Sequence, residues 1–140
     1  MPVVDASVIT AYFKRDDVGH VESAAWLRAM VRAGQHITAP TVLLAEVGAA
    51  VRRSTGDAML GHAVVAELRQ LPGLRLVPVS EALAVNAADI AVRHAMRGCD
   101  AVYVAVAEQL GETLVSLDAE QLARGRGVVR AVRPEQADPE

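Results

Sequence analysis

The chain has 140 residues, 52% of them hydrophobic, and a formal net charge of −3. That length suits a single domain with a real core, and the acidic balance excludes the broad attraction to nucleic acid that a strongly basic chain has, so any nucleic-acid site must be local. A single cysteine, Cys99, excludes an intramolecular disulfide and a thiolate zinc site.

In chain order, Pro2 to Asp5 reads as a short buried strand and Ser7 to Phe13 as a helix capped by Asp5 or Ser7. From Val18 to Ala33 the apolar residues Val21, Ala24, Ala25, Leu27, Met30 and Val31 recur at helical spacing, with Gly34 as a stop. His36 to Thr38 is a brief strand, and Pro40 stands near the start of a helix running to about Ser54. Gly56-Asp57 breaks the pattern, and Ala58 to Leu71 forms a helix ended by Pro72-Gly73. Leu74 to Val79 is a strand, Ser80-Glu81 opens a helix to about Arg97, and Gly98-Cys99-Asp100 starts another to Leu110. Thr113 to Leu117 is a strand, Ala119 to Arg124 a short helix, and Gly127 to Val132 a last strand. Short apolar strands alternating with helices predict an α/β fold with a parallel sheet covered on both faces. The start of the chain has no basic segment followed by a long apolar run, and no apolar stretch is long enough to span a membrane. A soluble protein of the cytoplasm is expected.

Four acids sit where apolar residues belong. Asp5 follows Val3-Val4, Glu46 lies within Leu43-Leu44-Ala45-Glu46-Val47, Asp100 precedes Ala101-Val102-Tyr103-Val104, and Asp118 closes Leu114-Val115-Ser116-Leu117. Taken singly, each aspartate could be an ordinary cap or turn residue and Glu46 an exposed helix residue. Together they point to a site, because ionised carboxylates brought into an apolar setting repel one another unless a cation neutralises them. Asp5 and Asp118 each end a strand and precede a helix, which sends both to the carboxyl edge of the sheet, where functional residues of open α/β folds gather. An all-oxygen set with no obligatory histidine suits Mg2+ or Mn2+ rather than zinc or copper. His20, His36, His62 and His94 fall in separate elements and have no paired ligand spacing. Arg52, Arg53, Arg93 and Arg97 are candidate phosphate contacts, with solvated helix faces as the alternative.

These segments, Val3-Val4-Asp5-Ala6-Ser7-Val8, the helical Glu46, Asp100-Ala101-Val102-Tyr103-Val104-Ala105-Val106-Ala107, and Leu114-Val115-Ser116-Leu117-Asp118, resemble the PIN domain. In size and order the chain is similar to the VapC toxin ribonucleases of toxin-antitoxin pairs. The resemblance implies a three-layer fold with a mostly parallel central sheet, a single PIN domain over residues 1–133, and a polar tail over 134–140 that is expected to fray. It implies an endoribonuclease dependent on Mg2+ or Mn2+, with Asp5, Glu46, Asp100 and Asp118 as the catalytic acids and Asp5, Asp100 and Asp118 as metal ligands. Ser7 and Ser116 are candidates to orient carboxylates, with simple cap or turn hydroxyls as the alternative, and Ser116 stands where the family usually has threonine. A small antitoxin, an RNA substrate and a homodimer are the implied partners. Trp26 and Leu27 could supply protein contacts or simply pack in the core. A receiver domain is disfavoured because the only lysine is Lys14, and a haloacid-dehalogenase phosphatase because Ser7 stands where a second aspartate is needed. The non-enzymatic alternative is a silent PIN-like scaffold that binds RNA or a partner.

Overall fold

The computed structural model describes residues 1–138. Five strands form one parallel sheet: β1 (Val3–Val4), β2 (Ile37–Pro40), β3 (Leu74–Val77), β4 (Leu114–Val115) and β5 (Ala131–Val132), in the spatial order β3-β2-β1-β4-β5. Seven α-helices flank it: α1 (Ala6–Phe13), α2 (His20–Arg32), α3 (Val42–Thr55), α4 (Ala58–Arg69), α5 (Glu81–His94), α6 (Gly98–Leu110) and α7 (Ala119–Gly125). One group has α1 packed on α2 and α3, with α4 on α3; the other has α6 against β1, β2 and β4, with α5 and α7 beside it.

The central strands read as unbroken apolar runs because both faces are covered. Val3, Val4, Leu114 and Val115 are fully buried, and they meet Ala101, Val104, Ala105 and Val106 of α6, which is why that helix is apolar nearly all round. Trp26 and Leu27 belong to this core, each 4% exposed, so the packing alternative describes them, and Leu27 also lines an apolar hollow beside α2.

Four strands are shorter than the apolar runs suggested, because a residue pairs only while a neighbouring strand lies beside it, whereas β2 runs past the expected Thr38 to Pro40. Gly127, Val128 and Val129, expected in the last strand, instead donate back to carbonyls of Arg124 and Gly125 and form a turn. Pro40 closes β2 and stands two residues before α3, so it lies near the start of that helix as expected. Thr38 donates to Pro2 on the β1 side, and Pro40, two residues on, has no N–H with which to continue that ladder, so the pairing with β1 stops there.

Fraying does not extend over the whole tail. Pro134–Gln136 form a 3-10 turn packed against α2, Pro134 is buried, and the Gln136 side chain accepts the Arg133 N–H. Residues 139 and 140 lie outside the described part of the chain.

The strand order creates the site. The chain moves outward through β1, β2 and β3, then returns to the other side of β1 for β4 and β5. Beyond the carboxyl ends of β1 and β4 the loops diverge, leaving a crevice at the switch point.

Candidate active site

Asp5 leaves β1 and Asp118 follows β4, so the two flank this crevice. The backbone carries both in the same direction: Asp5 N–H donates to Val115 O at 2.9 Å, and Ser116 N–H donates to Val132 O at 3.0 Å. Each then caps a helix. Asp5 Oδ2 accepts Ser7 N–H at 3.0 Å at the start of α1, and Asp118 Oδ1 accepts the N–H groups of Glu120 (3.0 Å) and Gln121 (3.1 Å) at the start of α7. Capping and site membership are therefore the same placement. Asp100 is the third residue of α6, whose first turn opens onto this edge, and Glu46 reaches it from the second turn of α3. All four carboxylates line one open cleft of ≈ 630 Å³, together with Ser7, Thr10, Asp17, Arg53, Arg97 and Cys99.

The floor of the cleft is a hydrogen-bonded polar cluster. Ser116 is fully buried; its hydroxyl donates to Gln121 Oε1 at 2.6 Å, accepts Asp118 N–H at 3.0 Å, and lies 3.4 Å from Asp5 Oδ2. Ser7 Oγ accepts Leu117 N–H at 3.0 Å and lies 3.4 Å from Ser116 Oγ. Gln121, also fully buried, sends its amide to Asp100 O at 3.3 Å. The two serines thus tie the α1 and β4 ends together under Asp5. Gln121 went unnoticed in the sequence, although a glutamine three residues after a capping aspartate is a recognisable pattern.

Burial and mutual repulsion perturb three of the acids. Burial raises Asp5 above the usual carboxylate range; hydrogen bonds from Ser7 and Gln121 oppose the rise and the Asp118 charge adds to it. Asp100 is raised by burial and by Asp5, with the Arg97 guanidinium pulling it back. Glu46 is raised by burial, drawn down by the Tyr103 hydroxyl and Arg97, and pushed up by Asp5 and Asp100. The Tyr103 phenol is itself raised, by burial and then by Glu46. Neither Glu46 Oε1 nor the Tyr103 hydroxyl completes a hydrogen bond among the described residues, although both are buried. Tyr103 sits at core spacing, which hid its place beside Glu46.

The donor set fits a hard divalent cation: four carboxylates, no nitrogen or thiolate required, a buried glutamate oxygen without a partner, and acids whose ionisation lacks compensation. The cage is not preassembled. Among the described residues no three Asp, Glu, His or Cys side chains are gathered closely enough to hold an ion as they stand. Arg97 occupies part of the counter-ion role, with Nε 3.0 Å from Asp100 Oδ2 and Nη2 2.6 Å from Asp118 Oδ2. Of the arginines singled out in the sequence, Arg97 and Arg53 line the cleft, whereas Arg93 pairs with Asp89 on α5 and Arg52 borders the α3–α4 groove. No histidine lines it, and His20 is bound instead to Ala11 O at 2.8 Å. Another hollow, of ≈ 380 Å³ between α1, α2 and the α4–β3 turn, is apolar and lined by no carboxylate, so acid chemistry belongs to the crevice.

Comparison with known proteins agrees with this architecture. The family model described as PIN domain matches residues 3–127. The sarcin-ricin-loop-cleaving toxin VapC20 of Mycobacterium tuberculosis superposes with a TM-score of 0.75 at 22% identity, over 89% of this chain and 95% of that one. FitAcB of Neisseria gonorrhoeae gives 0.72 at 20% identity over 98% and 100%. A toxin-antitoxin complex from Klebsiella pneumoniae gives 0.67 at 13% identity over 96% and 98%. No functionally curated protein sequence matches the chain.

Proposed function

From the premise that the chain belongs to the PIN-domain family, we propose that it is a divalent-metal-dependent endoribonuclease of the VapC kind, the toxin of a toxin-antitoxin pair acting in the cytoplasm. The observation that carries this reading is the convergence of four carboxylates at the β1–β4 switch point, three of them raised by burial and crowding. A pure binding surface for RNA gains nothing from acids that repel phosphate. A nuclease does gain, because the acids hold the cation that phosphate requires.

Asp5 and Asp100 would be the principal ligands for Mg2+ or Mn2+, with Asp118 as the further carboxylate that would help hold the ion. Such an ion supplies charge for the attacking and leaving oxygens of a phosphodiester and acidifies water. Glu46, which lines the cleft and is raised above the usual carboxylate range by burial, would orient the attacking water and accept its proton. Ser7 and Ser116 fix the Asp5 carboxylate from below. Arg53 lies on the same face of α3 as Glu46, two turns along, and is placed to contact a neighbouring phosphate of the strand. The VapC20 relative is described as cleaving the sarcin-ricin loop, and the Klebsiella relative is a toxin-antitoxin complex; a structured RNA and a small antitoxin are the corresponding partners proposed here, with the toxin a homodimer.

The test is cleavage of total RNA by the purified protein with Mn2+, with EDTA, and with Asp5→Asn and Asp100→Asn. Discrete cuts bearing 5'-phosphates, present only with Mn2+ and lost in both variants, are expected. Cuts that persist in the variants, or 2',3'-cyclic phosphate ends, would rule out this mechanism. Metal binding without cleavage of any RNA would favour the silent scaffold.

A further inference from the structure

Both oxygens of Asp118 are engaged. Its Oδ1 accepts the N–H groups of Glu120 and Gln121, and its Oδ2 is held at 2.6 Å by Arg97 Nη2. The same guanidinium donates through Nε to Asp100 Oδ2 at 3.0 Å. Asp5 Oδ1, Asp100 Oδ1 and Glu46 Oε1, by contrast, accept no hydrogen bond among the described residues. A planar cation with several donors is suited to bridging two carboxylates, which a lysine point charge is not. Arg97 is also well exposed. It is the N-cap residue of α6, its side chain is 66% exposed, and its side-chain hydrogen bonds among the described residues go to these two acids.

We propose that Arg97 is a built-in counter-ion that holds Asp100 and Asp118 in the metal-free protein and is displaced when a divalent cation binds. This rests on the metal-dependent reading above and adds to it a competition inside the chain. The arginine keeps the carboxylates from repelling one another while no metal is bound, and so lowers the apparent affinity of the site for metal. Once displaced, the guanidinium stands at the cleft mouth beside the incoming backbone, with its charge available to a phosphate. Asp118, caught between its helix cap and Arg97, is the carboxylate whose participation depends most on this exchange.

Two measurements test it without reference to activity. Calorimetric titration with Mn2+ at neutral pH compares the wild type with Arg97→Gln and Arg97→Lys, both at an exposed position and both checked for native folding by circular dichroism. Removing one competing unit charge next to the ion is expected to tighten Mn2+ binding about 3- to 10-fold in Arg97→Gln, with Arg97→Lys between it and the wild type. In parallel, the Arg97 Nε–Hε resonance of the wild type, protected from solvent exchange in EDTA, is expected to shift and lose protection as Mg2+ saturates the site. Equal or weaker Mn2+ affinity in Arg97→Gln, or an Arg97 resonance unmoved at saturating Mg2+, would overturn the proposal while leaving the metal-dependent function standing. Absence of Mn2+ binding in all three proteins would overturn both.

Discussion

At the scale of the residue, each acid of the cleft does structural and electrostatic work that pull in opposite directions. Asp5 stabilises α1 as its cap, yet its burial raises it, so the ionised form is disfavoured in the metal-free fold. Asparagine keeps the cap and removes the charge. Asp5→Asn is therefore expected to melt at a higher temperature than the wild type in EDTA at neutral pH and to lose the stabilisation that Mn2+ gives the wild type; differential scanning calorimetry with and without metal reads both. A site residue whose replacement stabilises the fold is the usual mark of function maintained against stability. Asp5, Asp100 and Asp118 were legible in the sequence because a charge at the end of an apolar run is conspicuous. Gln121 and Tyr103 were not, since a helical glutamine and a core tyrosine look ordinary until their neighbours are known.

At the scale of the element, helices were easier to read than their ends. The helix α5 was expected to continue to about Arg97 but stops at His94, where Ala95 takes a left-handed conformation with φ 52°. No glycine marks this stop. It is held locally by Met96 N–H bonding back to Ala91 O, and from α7 by the Arg124 side chain, which donates to the carbonyls of Ala95 and His94. Ala95→Gly should relieve the strain and stabilise the protein by about 0.5–1 kcal/mol in urea denaturation. Gly73 is the reverse case. Its φ is +81°, an added Cβ would lie 3.0 Å from Gln35 O, a backbone atom that cannot turn aside, and its own carbonyl accepts Ile37 N–H. Gly73→Ala is expected to cost about 1–3 kcal/mol, seen in the same denaturation, and to leave Mn2+ affinity unchanged because it lies at the opposite end of the strands from the cleft.

At the scale of the whole molecule, the crowding of carboxylates predicts a pH dependence whose sign depends on metal. Asp5, Glu46 and Asp100 are all raised in the folded state above ordinary values of 3.8 for aspartate and 4.5 for glutamate. Between those ordinary values and the raised ones, the folded protein binds more protons than the unfolded chain, so its stability increases as pH falls. In EDTA the melting temperature is expected to rise from neutral pH towards pH 5. With saturating Mn2+ it should fall over the same interval, because protons then compete with the ion for the carboxylates. At neutral pH, a metal present at 100 times its dissociation constant should add about 2.7 kcal/mol. Thermal melts across pH with Mn2+ and with EDTA check all three, and parallel curves under the two conditions would count against a metal held by these acids.

The order of apolar runs and helical periods by itself determined an α/β chain with a parallel sheet, since periodicity and strand length are local properties. It also marked the four acids, because an unfavourable charge in an apolar segment can be recognised without knowing what lies opposite. Only the tertiary structure decided that they share one cleft, because this follows from β4 returning to the far side of β1 and opening the switch point between them. It also decided that Arg97 bridges Asp100 and Asp118, that Ser116 and Gln121 brace the floor, and that the last strand is two residues long. Those outcomes depend on pairings between residues up to 111 positions apart, as between Ser116 and Asp5, and such distances leave no periodic trace along the chain.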